Sequence, residues 1–413
     1  MRHLGVTRGL AFACVAFCAA CGSQRGSGSA LGSSGAEAGP GGGPTSGAGS
    51  GGAATVAGAA PGGSIADGGS TANGGSTANG GSAAASGSPS AGQSGQSTQG
   101  PSGLPVPPGA GNVPKPSGAA VSLKVAAWAG FKGAASYTFD DSQPSQFEHW
   151  PELKATGAKV TYFITTSNSS IAGYDATLKE LVASGGELGN HTVSHCNFDL
   201  TNCAGPQPLA TIDAEIDGCT DYIKQLGLPD TLTIAYPYGD ATYEHAVKTR
   251  FFLGRGVGGG LIAADDKADP FNLPIVAAAG GEKADVFSAQ IDAAHTQNKW
   301  VIFLFHSLGP TTAAWYATVD IGSVTGSIEH AKSLPDVWLD TMANVGAYWL
   351  GSQLLKGDGP TWSWTVPPHY PAGKYLRVTV DGGTLSQAGK ALAWDPHGYY
   401  EVALDAGELG WAP

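Results

Sequence analysis

A perfect six-residue repeat, Gly68-Gly-Ser-Thr-Ala-Asn73 followed by Gly74-Gly-Ser-Thr-Ala-Asn79, lies within a stretch from Ser23 to about Ala120 dominated by Gly, Ser, Ala, Thr and Pro. No unit of this stretch has an apolar face, so it can neither bury a core nor stack into a solenoid. Folding is therefore confined to the rest of the 413-residue chain. A flexible tract of about 100 residues has an end-to-end distance of roughly 50–60 Å. Pro105, Pro107, Pro108, Pro114 and Pro116 stiffen its last part, and residues 22–120 read as a tether.

What precedes the tether explains why one is needed. Residues 1–21 carry Arg2 and Arg8, then an apolar run from Leu10 to Ala20 that is too short to span a bilayer and has the form of an export signal. Cys18-Ala-Ala-Cys21-Gly22 resembles a bacterial lipoprotein box in which Cys21 becomes the lipidated first residue, although Cys18 stands where Leu is usual. The expectation is a cell-envelope lipoprotein, outer-membrane in a Gram-negative host, with plain secretion as the alternative. The formal charge of -12 argues against nucleic acid or an anionic membrane face as partner.

Beyond Val121 strand-like and helix-like stretches alternate, as in a parallel α/β design. Ala135–Phe139, Lys159–Ile164, Glu187–His191, Leu232–Tyr236 and Trp300–Phe305 read as strands. Helical spacing marks 147–156, Asp175–Ser184, Ile212–Leu226 and Leu334–Leu350, the last as a closing helix with Val337, Trp338, Met342, Val345 and Trp349 inward. From about Pro360 the period changes to two, in Tyr375–Val380 and Tyr399–Leu404 around an Asp381-Gly-Gly383 turn, which predicts a small β appendage over 356–413. Its Trp362, Trp364, Trp394 and Trp411 either form a sugar-binding face or pack against the barrel, and packing is the favoured reading.

Chemistry collects where strands meet loops. Tyr137-Thr-Phe-Asp-Asp141 places two carboxylates at a strand end, where both can turn into one pocket or can simply form a polar turn. His191 and His195 follow another strand. A zinc-protease helix would need Glu after the first His, and Thr192 stands there, so that reading fails. Two histidines four apart can still converge on a metal with Asp141 as third ligand. An iron oxygenase with the same ligands would leave Asp140 without a role. Tyr236-Pro-Tyr-Gly239 is a turn whose N–H groups can face a substrate, and His306 stands at the end of a strand. Among the cysteines left after the signal, Cys196 with Cys203 would staple the loop after the second motif, leaving Cys219 over; their spacing lacks the close pair of a zinc cluster.

Thr138-Phe-Asp-Asp141, His191-Thr-Val-Ser-His195, the Tyr236–Gly239 turn and Leu304-Phe-His306 together resemble the ordered motifs of the NodB-homology polysaccharide deacetylases, carbohydrate esterase family 4, over residues 123–355. The resemblance implies an α/β fold, a distorted, incomplete (β/α) barrel spanning 121–355 with its site at the C-terminal strand ends. It implies Asp140 as general base, Asp141, His191 and His195 as ligands of a divalent metal (zinc, or cobalt as an alternative), and His306 as general acid. The Tyr238 backbone N–H would hold the oxyanion. Many members begin the third motif with an Arg that orients the base, and Ala235 stands there; a subset is similar in having Tyr-Pro-Tyr-Gly. Arg255 is then the candidate cation, with Arg250 as alternative, on sequence proximity. Asp265, Asp266 and Asp269 are candidates to orient His306. Trp315 and Tyr316 either stack on a sugar or belong to the core. The expectation is a monomer acting on an acetylated glycan such as chitin, peptidoglycan or poly-N-acetylglucosamine. The alternatives are an O-acetyl esterase on xylan and a tethered binding protein without turnover.

Overall fold

The computed structural model describes residues 102–120, 122–167, 171–357 and 359–412. The chain divides at Ser86/Gly87, and everything described lies in the second unit. The signal segment 1–21, its Cys21, and the tether as far as residue 101 lie outside the described residues. Among the described residues, no helix is long and apolar enough to cross a membrane.

Seven strands make the central element: β1 Gly133–Asp140, β2 Thr161–Ile164, β3 Glu187–Asn190, β4 Thr233–Ala235, β5 Leu253–Gly259, β6 Leu273–Ala277 and β7 Lys299–Phe305. Each pairs in parallel with the next, and β7 pairs in parallel with β1, so the sheet closes on itself. This is the (β/α) barrel, one strand short of eight. The gap is filled at one end only: β8, Val337–Leu339, runs beside Gly133–Ala135 at the start of β1, while the end of β1 pairs with β2. The eighth place therefore exists at the bottom of the barrel and is missing at the top.

Strand parity decides what faces inward. Even-numbered Ala134, Trp300, Ile302 and Leu304 share one core with Phe163, Ala235 and Leu253. Odd-numbered Ala135, Tyr137, Phe139, Val301, Phe303 and Phe305 belong to the other, beneath helices such as Ala284–Thr296 and Ile321–Ser333. Being buried on both faces explains why β7 is a near-continuous apolar run, while β1 turns Ser136, Thr138 and Asp140 to the barrel interior. Inside, Ser136 Oγ donates to the Asp340 carbonyl and accepts from Trp300 Nε1, so this buried hydroxyl is satisfied.

Two expected helices are broken. The stretch read as one closing helix from Leu334 is strand β8 followed by a helix over Met342–Ser352, capped by Thr341 Oγ1 accepting from Asn344 N. Pro335 ends the preceding helix, and Val337–Leu339 is claimed by the exposed edge of β1, a tertiary demand that helical spacing does not reveal. The segment 147–156 is split into Pro144–Glu148 and Trp150–Ala155 at His149. The sequence pattern does not mark β5, Leu253-Gly-Arg-Gly-Val-Gly-Gly259, because four of its residues are glycine, nor the short β6, which contains Pro274; their neighbours hold both extended.

The β appendage packs on the barrel. Trp362, Leu376, Val378, Tyr400 and Val402 join Val345 and Trp349 of the helix Met342–Ser352 in one core. Its sheets also take in Leu123–Val125, and Arg377, stacked over Tyr399, donates to the carbonyls of Leu104 and Pro105.

Candidate active site

The top of the barrel gathers the titratable residues that the sequence singles out. β1 and β7 are paired with Phe139 opposite Phe305, so Asp140 and His306, the next residue on each, stand side by side. Parity would send Asp141 outward, but the strand ends at Asp140 and Asp141 adopts φ 74°. That left-handed step swings its carboxylate into the pocket that Asp140 already faces. Ser142, Thr192, His195 and Tyr238 are also left-handed, so five of the twelve such non-glycine residues described surround this pocket. Backbone in this region is costly for residues with a Cβ, and its concentration marks a site held by its surroundings.

Asp141 is the hub. Its Oδ1 lies 3.2 Å from both His191 Nε2 and His195 Nε2, and its Oδ2 is 3.8 Å from His306 Nε2. Asp140 Oδ2 is 3.7 Å from His191 Nε2. Ligand atoms of Asp141, His191 and His195 all fall within 4.8 Å of one another. Two imidazoles and a carboxylate form the donor set of a catalytic divalent-metal site, so these residues fit the metal the sequence implied. His191 Nδ1 bonds the Ala235 carbonyl at 2.8 Å, which turns Nε2 toward the shared centre.

The charge state follows from this crowding. Burial alone would raise the Asp141 pKa, but the hydrogen bond from His191 and the charges of His191, His195 and His306 outweigh it and hold the carboxyl well below its usual range. Burial acts against charged His191 too, yet Asp140 and Asp141 raise its pKa above the ordinary value. His195 goes the other way, pushed down to about 4 by burial and then by the charge of His191.

Arg255 sits on β5 opposite Ala235 in register, fully buried, with its guanidinium 4.7 Å over the Phe163 ring. Its Nη2 donates to Asp140 Oδ1. Thus the cation missing at Ala235 arrives from the adjacent strand at the same height. Arg250 is elsewhere, paired on the surface with Asp217 and Asp213 at 2.6 and 2.9 Å. None of Asp265, Asp266 or Asp269 reaches His306, whose buried Nδ1 has no hydrogen-bond partner among the described residues.

Supporting residues were not visible in the sequence. Gln146 Nε2 donates to the carbonyls of both Asp140 and His306, at 2.5 and 2.9 Å, tying β1 to β7. Glu215 accepts from Ser194 N and Leu209 N, and Asn190 accepts from Thr192 N, which fixes the loop carrying the two histidines. Their only sequence signal was a polar residue on an otherwise buried helix or strand face. The Cys196–Cys203 disulfide staples the same loop, and Cys219 is free and buried. Phe198 in that loop donates its N–H to Asp240, just after the Tyr236–Gly239 turn.

Around the mouth the surface is apolar. Eight large apolar side chains are exposed among the described residues; of these Tyr238 and Tyr316 touch the site histidines, Val257 lies beside Gly239, Trp315 N donates to Ser307 Oγ next to His306, and Phe198 follows the histidine loop and packs on Tyr243 and His245. The Tyr238 ring meets His195 edge-on at 4.4 Å, and Tyr316 meets His306 at 4.9 Å. Trp315 and Tyr316 are 63% and 58% exposed, which settles against a core role.

Barrel and pocket together bring a candidate divalent-metal cluster, a carboxylate bonded to a buried arginine and a further histidine to one mouth. Residues 131–250 match the family model described as polysaccharide deacetylase; the match takes in Asp140 to Gly239 and stops before Arg255 and His306. No curated protein matches the chain by sequence. Among solved structures, the Xyl-CE4 domain of a multidomain xylanase from the hindgut metagenome of Trinervitermes trinervoides is 16% identical, with 55% of this chain and 94% of that one covered and a TM-score of 0.36. Peptidoglycan deacetylase PdaC from Bacillus subtilis is 18% identical over 52% of this chain and 89% of that one, at 0.34. Puue allantoinase, at 12% identity, covers 55% of this chain and 93% of its own, at 0.40.

Proposed function

We propose that this protein is a metal-dependent hydrolase that removes acetyl groups from an N-acetylated polysaccharide, in the Tyr-Pro-Tyr-Gly subset of its family. The observation that carries the reading is the division of labour between adjacent carboxylates: Asp141 faces two histidines, while Asp140 is held by buried Arg255. Asp141, His191 and His195 would hold the metal, zinc by the nature of the ligands and cobalt as a substitute. Bound there, a divalent ion supplies acidity to a water and positive charge for a developing oxyanion.

The protein's own groups do the rest. Asp140 takes the proton of the attacking water, and Arg255, donating to its Oδ1, holds that carboxylate in position. The Tyr238 N–H, in a left-handed turn beside His195, is directed to the oxyanion. His306, neighbouring Asp140 across the β1–β7 pairing, donates a proton to the departing sugar nitrogen. Acetate and a free amine result. Tyr316 and Trp315 on one side and Tyr238 and Phe198 on the other offer faces for sugar rings that flank the reacting residue.

Export as a lipoprotein on the part of the tether that precedes Leu104, where the chain docks on the appendage, would place this centre at the cell envelope, within reach of such glycans. The reading without turnover rested on the absence of Arg at Ala235, and Arg255 beside it removes that ground. Acetate release is the test: the full chain loaded with zinc or cobalt is assayed on chitooligosaccharides, peptidoglycan fragments and acetylxylan. Release from the first two supports the proposal. Release from acetylxylan alone makes the protein an O-acetyl esterase, and silence on all three with metal bound makes it a binding protein.

A further inference from the structure

At the opposite end of the barrel, between the strand starts, the helix Met342–Ser352 and the appendage, lies a cavity of about 210 Å³. Two ammonium groups line it, those of Lys159 and Lys374, together with Asp340, Asn344 and the aromatic walls Trp338, Tyr348 and Tyr375. Gly103 and Gly373 at its rim are exposed, so solutes can enter.

The negative charge within reach is already committed. Asp340 Oδ2 takes Lys159 Nζ and Trp338 Nε1, both at 3.3 Å, and its Oδ1 takes Thr341 N and Asn344 Nδ2 at 2.8 and 2.9 Å. Glu187, the next nearest acid, accepts from Thr161, Thr233 and Ala343 N. Lys374 is left with one neutral acceptor, Asn344 Oδ1 at 2.8 Å, and no carboxylate partner among the described residues. A partly buried ammonium without a directly bonded carboxylate is costly, and Lys374, which lines the cavity, has donors beyond the one that Asn344 takes. Consistent with this, burial and then the charge of Lys159 outweigh the pull of Asp340 and Glu187 and lower the Lys374 pKa.

We propose that this cavity is a binding site for a small oxyanion, a carboxylate or a phosphate, held by Lys374 and Lys159 beside the Asn344 amide. The anion supplies the charge that the fold leaves out, and it ties the appendage, through Lys374, to the base of the barrel. The site is separate from the metal-ligand cluster and independent of its chemistry.

Thermal unfolding of the full chain tests it, at constant ionic strength with chloride exchanged for acetate or for phosphate. A saturable rise in Tm of roughly 3–6 °C at ten times the half-saturating concentration is expected. Comparing the two half-saturating concentrations distinguishes carboxylate from phosphate as the preferred class. The rise persists in His195→Ala, which excludes binding at the metal site, and is lost in Lys374→Met, which is also at least as stable as the parent in chloride. No saturable rise with either anion, or an undiminished rise in Lys374→Met, overturns the proposal. Should Lys374→Met fail to fold, crystals of the parent soaked in selenate decide: anomalous signal between Lys159 and Lys374 supports the site, and signal absent there or confined elsewhere refutes it.

Discussion

The two ends of the barrel each bury a carboxylate, and they treat it oppositely. At the base, Glu187 accepts from Thr161, Thr233 and the Ala343 N–H, so three elements converge on it in ordinary backbone conformations. At the mouth, Asp140 faces Arg255 on one side and His191 on the other, amid left-handed residues, with the buried Nδ1 atoms of His195 and His306 lacking hydrogen-bond partners among the described residues. A carboxylate with its acceptor sites filled is a bolt; one set in a strained, incompletely bonded pocket is a tool. The base therefore carries stability and the mouth carries chemistry.

The sharpest way to break this contrast is at the mouth. His195→Ala removes one of three ligands, so metal occupancy and acetate release both fall by at least 100-fold while the fold persists; zinc analysis beside the assay checks this. Full occupancy in that variant would overturn the ligand assignment. At the base the expectation reverses. Glu187→Ala strands three donors and costs about 2–5 kcal/mol, which lowers Tm by roughly 5–15 °C, while turnover per folded molecule stays within about two-fold.

Acid sharpens the comparison further. His195 has a folded pKa of about 4 against about 6.5 unfolded, so between those values the unfolded chain binds a proton that the folded one does not. Stability of the metal-free protein thus falls as pH drops from about 6.5 to about 4, by something of the order of 3 kcal/mol. The raised pKa of His191 does not offset this, because its stabilisation is already complete below the unfolded value and is lost only as pH rises. Asp141 adds its own loss only below about 4, where the unfolded carboxyl protonates. Denaturant melts of metal-free protein across this range, with His195→Gln as the flattened control, check the sign.

The smallest effect is at the rim. Tyr316→Ala and Trp315→Ala remove stacking faces worth about 1 kcal/mol each, so KM on a polymeric substrate rises about five-fold with kcat little changed. Short substrates that do not reach the rim show no change.

How much of this was legible in the sequence follows the same division. Asp140, Asp141, His191, His195 and His306 are legible as a set, because four ordered strand-end motifs resemble one family, whereas the Asp pair alone reads equally as a polar turn. Their convergence was not, since parity alone would part Asp140 from Asp141, and only the φ of 74° at Asp141 joins them. Arg255 was named from proximity to Ala235 in the chain, but the contact is made through β5, whose glycines hid it as a strand. The closing helix failed at Val337–Leu339 because the missing eighth strand at the barrel base recruits those residues. Gln146 and Glu215 gave no signal, because their work is to hydrogen-bond backbone that is adjacent only once folded.

Asp140→Asn tests the central division most directly, with zinc content and acetate release measured on the same sample. The variant keeps a hydrogen-bond acceptor for Arg255 and leaves Asp141, His191 and His195 in place. The account predicts full zinc with turnover down about 100- to 10,000-fold. Turnover near the parent's, or zinc lost along with activity, would contradict the assignment of base to Asp140 and ligand to Asp141.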